Sequence, residues 1–109
     1  MLVDVSETAF EAGFRVPVAV TRAVWEDCCE WDENDARRHY QDVSGRLWDV
    51  VCLARFAIRH APQGTQMLYK LSRIPRVGRG RKRNVLLKLV SGPGDAGEHV
   101  VTIMQPDED

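Results

Sequence analysis

Five cationic side chains crowd into residues 76–83: Arg76, Arg79, Arg81, Lys82 and Arg83, separated by Val77, Gly78 and Gly80. Guanidinium groups grip phosphate and carboxylate oxygens through paired hydrogen bonds, so the cluster reads first as a polyanion-binding loop. The two glycines leave the backbone free to bend the cations round a ligand. Against duplex DNA such a loop could supply on the order of four or five phosphate contacts, each adding roughly 0.9 to the salt slope of binding. An acidic protein face would satisfy the same groups. So would water alone, the charge then serving only to keep a strand edge from pairing. No zinc-finger spacing, RNA-recognition aromatic pair or convincing helix-turn-helix pattern accompanies the cluster.

The other reactive groups are sparse. Cys28, Cys29 and Cys52 would have to converge with His39 or His60 to hold zinc, and neighbouring cysteines on a helix point about 100° apart. A cysteine and a distant histidine are the minimum for a thiol enzyme, but no local signature supports one. Buried, inert thiols are the expectation. Asp95 and Glu98 lie in a glycine-rich turn, where acids solvate well. Gly92-Pro93-Gly94 has neither the ending nor the strand-to-helix setting of a phosphate loop. These residues lead us to expect no catalytic group, metal or cofactor.

Charge is distributed in three blocks. Residues 1–49 carry five arginines against eleven acids, residues 50–94 carry ten cations and no acid, and residues 95–109 carry five acids and no cation. Arg55 and Arg59 belong to the basic block. The segment 25–35 of the first block mixes acids with Trp25 and Trp31. Trp25 is expected to face the core, whereas Trp31, near the end of its helix, is a candidate apolar anchor for a partner. Such asymmetry points to a polyanionic or acidic partner. The alternative is that the blocks fold together and pair internally.

Length and periodicity define the elements that must position these groups. At 109 residues, 44% apolar and 28% charged, the chain is expected to form a single globular domain over 1–109. No apolar run nears the roughly 20 residues of a membrane span. Residues 1–5 read as no secretory leader, and an odd cysteine count suits reduced thiols in a cytoplasm. Residues 2–5 read as a short strand or arm, and Ser6 as the cap of a helix near 6–12 that stops at Gly13. Residues 15–20, with Pro17 among β-branched residues, suit a lead-in or an edge strand. Thr21 caps a second helix over 22–30, and 31–44 reads as loop. Leu47, Val51, Ala54, Ile58 and Ala61 form an amphipathic stripe, widened by Val50, Leu53 and Ala57 and ended by Pro62 and Gly64. Arg55 and Arg59 stand one turn apart near the C-terminal end, where cations favour the helix dipole. Alternating runs at 67–72, 85–90 and 100–104 then form a three-stranded antiparallel meander. The basic cluster lies in its first connection and the turn 91–98 in its second. The expected fold is α+β, with helices packed on one face of this C-terminal sheet, with or without a short N-terminal strand beside it.

Three stretches carry a resemblance: 2–28 (LVDVSETAFEAGFRVPVAVTRAVWEDC), 40–59 (YQDVSGRLWDVVCLARFAIR) and 89–109 (LVSGPGDAGEHVVTIMQPDED). Through them the chain resembles a family of short proteins of unknown function encoded on bacterial plasmids, phages and other mobile elements. The basic segment 76–83 falls outside these stretches. The resemblance brings no catalytic residues. It implies a setting in which small non-enzymatic proteins disarm host defences, CRISPR surveillance complexes and nucleases among them. The expected function is therefore an anti-CRISPR-like binding protein that inhibits or modulates a host defence nucleoprotein complex. Its partner-binding residues would be Arg76, Arg79, Arg81, Lys82, Arg83, Arg55, Arg59 and Trp31, touching protein, guide RNA or target DNA. A nucleic-acid-binding accessory protein for plasmid or phage maintenance is the alternative.

Overall fold

The computed structural model describes residues 2–29, 43–60, 66–73, 83–93 and 97–108. Its elements are β1 (Leu2–Asp4), α1 (Ser6–Glu11), β2 (Val18–Thr21), α2 (Arg22–Val24) running into a π-helical segment (Trp25–Cys29), α3 (Val43–His60), β3 (Gln66–Arg73), β4 (Arg83–Pro93) and β5 (His99–Met104). The fold is α+β. The expected meander β3-β4-β5 is present, but the sheet is larger than three antiparallel strands. Its order is β1-β2-β5-β4-β3, with β2 parallel to β5 and every other pair antiparallel.

Pro17 explains how residues 18–21 enter the sheet. It sits one residue before the ladder begins, so its missing N–H interrupts nothing, and its carbonyl accepts from the Val101 N–H at 3.0 Å. The β-branched run that follows pairs Val18 with Val101 and Val20 with Ile103. Strand alternation then sends one set of side chains to the helices. Val18, Val20, Tyr69, Leu71, Leu87, Leu89, Val101 and Ile103 are buried there against Ala9, Val24, Leu47, Val50, Val51 and Ala54. Burying a valine or leucine completely is worth about 1.5–3 kcal/mol, so this single layer dominates stability.

Local chemistry departs from expectation in four places. Ser6 does not cap α1. Its hydroxyl donates to Asp4 Oδ1 at 2.6 Å and accepts from the Val18 N–H at 3.0 Å, tying β1 to β2, while Asp4 Oδ1 also takes the Ser6 N–H at 3.0 Å. Both bonds to Ser6 hold the Asp4 carboxyl below the usual aspartate range. Thr21 does cap α2, its Oγ1 accepting from the Val24 N–H at 3.3 Å, but the α-helix continues as a π-helix from Trp25. Within that wider turn both neighbouring thiols, Cys28 and Cys29, are completely buried in the same core as Val24. Trp25 packs half-buried against the same core.

In α3, Leu47, Val50, Val51 and Ala54 face the core as expected, but Leu53 does not. It lies one residue, about 100°, round from Ala54 and is exposed. Arg46 is buried instead, its Nη2 donating to the Asp27 carbonyl at 3.3 Å and linking α3 to the π-helical segment. Finally, β4 runs on through Ser91, Gly92 and Pro93, which sequence reading places in the turn. Ser91 Oγ and His99 Nε2, 2.6 Å apart, close the β4–β5 pair near its turn. Among the described residues, no helix is long and apolar enough to cross a membrane.

Candidate partner-binding surface

The basic cluster belongs to the β3–β4 hairpin. Eight rungs pair the strands, from Gln66 with Val90 to Arg73 with Arg83, and the last rung sets two arginines opposite each other at the mouth of the connection. Arg83 is thus the first residue of β4. Arg76, Arg79, Arg81 and Lys82 lie outside the described residues, as does Trp31. β3 is the last strand of the sheet, so the hairpin forms one of its edges.

The arginines of α3 serve different ends. Arg55 is half-buried, and its Nε donates to the Gly13 carbonyl at 3.1 Å. Gly13 holds a φ of +108°, which ends α1, and a Cβ there would stand 3.3 Å from Arg55 Nε. Arg55 thus holds the α1 terminus through its Nε. Arg59 is exposed in the last turn of α3 and forms no hydrogen bond or ion pair among the described residues. The basic connection leaves the sheet at the Arg73 end of β3, about 23 Å of strand from Gln66, where the chain enters the sheet after α3.

Sequence reading missed the outward face of the hairpin. Tyr69, Leu71, Leu87 and Leu89 point inward, which leaves Leu68, Lys70, Leu86, Lys88 and Val90 on the other side of the sheet. Leu68 is 53% exposed and Leu86 39% exposed. Leu68 stands across from Lys88 and Lys70 across from Leu86, so two leucines and two lysines form a checkerboard. Apolar residues of both parities in these strands were the available signal: a strand with one wet face should not read Leu86-Leu87 or Leu89-Val90.

The other half of this face is closed by the chain itself. After Met104 the chain turns, and Glu108 accepts through Oε1 from the Thr21 hydroxyl and the Gln105 N–H, both at 2.8 Å. The Lys88 ammonium donates to the main-chain carbonyl of Glu108. Met104 and Thr21 are buried beneath this acidic turn, whereas Leu68 and Leu86 are not.

A second apolar surface runs along α3, where Trp48, Cys52 and Phe56 follow one another at four-residue spacing. Phe56 is 61% exposed and stacks on His60 with ring centroids 4.2 Å apart. Desolvation first, and the nearby Asp49 charge second, push the Cys52 thiol up. That shift opposes the thiolate a nucleophile would need. Among the described residues, no group of three His, Cys, Asp and Glu is placed as metal ligands would be. Comparison with known protein families, curated proteins and solved structures finds no match to this chain.

Proposed function

We propose that this protein is a non-enzymatic binding protein that docks on a polyanionic host target through its β3–β4 hairpin. The observation that carries this reading is the charge of that hairpin and its place in the sheet. Lys70, Arg73, Arg83 and Lys88 lie on two strands at the sheet edge, their connection adds Arg76, Arg79, Arg81 and Lys82, and no acid occurs anywhere in 50–94. Clustered charge of one sign speeds encounter with an anionic surface and steers its orientation. The resemblance to proteins of mobile elements directs the reading further, to inhibition of a defence nucleoprotein complex in the bacterial cytoplasm.

The test is protection of a phage from CRISPR interference in cells that express the chain. Wild-type protein should restore plaques, and a variant with Arg79, Arg81, Lys82 and Arg83 changed to serine should not, at equal expression. Equal protection by the two proteins, or protection by neither, overturns the reading.

A further inference from the structure

We infer that the open face of the β3–β4 hairpin takes an extended acidic segment of a partner protein, added as a strand beside β3 over Leu68 and Lys70. The inference rests on the reading above, that the hairpin is the docking element, and names the partner's chemistry.

Three observations lead there. First, β3 is eight residues long, contains no proline and ends the sheet, so one edge of its main chain has no strand beside it among the described residues. Such an edge pairs readily with an added strand, and the main-chain hydrogen bonds supply affinity whatever the partner's sequence. Second, the side chains beside that edge ask for a definite pattern. Leu68 and Lys70 are neighbours on the open face, so an added strand would satisfy them with an apolar and an acidic residue two positions apart. Third, the chain's own C-terminal turn already covers the adjoining half of this face, with Lys88 donating to the main-chain carbonyl of Glu108 and Thr21 to its carboxylate. The face thus takes a stretch of main chain where one is supplied, and on the remaining half the exposed Lys70 beside Leu68 adds a preference for an acidic and an apolar side chain.

Nucleic acid fits this face less well. Single strands bind to sheets by stacking bases on aromatic side chains. The one aromatic residue of the two strands, Tyr69, points inward and donates its hydroxyl to the Val50 carbonyl at 3.2 Å.

The experiment is fluorescence anisotropy of a labelled peptide of three Glu-Thr-Leu-Thr repeats against the intact chain. A Lys-Thr-Leu-Thr peptide and an unlabelled single-stranded DNA serve as competitors. The acidic peptide should bind, Lys70→Glu should weaken it at least about tenfold, and the same variant should gain affinity for the basic peptide. Lys70→Gln, with its fold checked by circular dichroism, should fall between. No saturable binding at millimolar peptide, indifference to Lys70, or displacement of the peptide by DNA in a Lys70-dependent way overturns the inference. Failure here is separable from failure of the functional reading. If Lys70→Glu still protects phage while the serine loop variant does not, the hairpin docks a partner but not in this manner.

Discussion

The hydroxyl of Thr21 and the carboxylate of Glu108, 87 residues apart in the chain, meet at 2.8 Å. Thr21 uses one oxygen for two tasks, since Oγ1 also accepts from the Val24 N–H at the start of α2. Replacing Thr21 by valine keeps the shape and removes both bonds. We expect a loss of about 1–2 kcal/mol, against less than about 1 kcal/mol for Glu108→Gln, which leaves the cap intact. Urea unfolding of the two variants measures the difference.

Leu86 and Leu87 are adjacent on β4 and should respond in opposite ways. Leu87 is fully buried in the layer between sheet and helices, so Leu87→Ala should cost roughly 2–5 kcal/mol. Leu86 faces outward, and Leu86→Ala should change stability by no more than about 0.5 kcal/mol while weakening the docking of a partner. Paired thermal melts and peptide titrations separate the two effects.

Arg55 and Gly13 form a structural unit. Gly13→Ala forces a side chain onto a φ of +108° and toward Arg55 Nε, so it should destabilise by about 1 kcal/mol or more. Arg55→Ala should lower stability through the lost bond to the Gly13 carbonyl. It should leave partner binding unchanged, whereas Arg59→Ala should leave stability unchanged. Denaturation midpoints and binding isotherms of the three variants check this.

Asp4 ties acid stability to the β1–β2 junction. Its carboxyl titrates below the ordinary 3.8 because the Ser6 hydroxyl and N–H bond the charged form. A group depressed in the folded state contributes its full stabilisation above the unfolded value, and loses it as pH falls through the folded one. Asp4→Asn should therefore melt below wild type at pH 6, and the gap should close as the pH falls below about 4. A gap constant with pH contradicts this role.

What could be read from the sequence was local. Thr21 carries its cap in its own type and spacing, and the stripe from Leu47 to Ala54 declares which side of α3 is buried. Gly13 marks the end of α1. What could not be read depends on distant partners. The parallel pairing of Val18 with Val101 leaves no periodic trace, because Val18–Thr21 is too short to show which strand it will join. The π-helical turn at Trp25–Cys29 accompanies the burial of two neighbouring thiols, and the buried Arg46 meets a carbonyl of another element, that of Asp27. The candidate site divides the same way. The cationic connection is plain in composition, while the Leu68–Lys70 face emerges only once the register of β3 on β4 is known.

The most direct test of the account is amide chemical-shift mapping of the labelled chain, titrated with the Glu-Thr-Leu-Thr peptide. We predict shifts concentrated at 66–73 and 83–90, strongest near Leu68, Lys70 and Leu86. Shifts centred instead on Trp48, Cys52 and Phe56 of α3, or no shifts at millimolar peptide, would contradict the assignment of the β3 edge as the site of an added acidic strand.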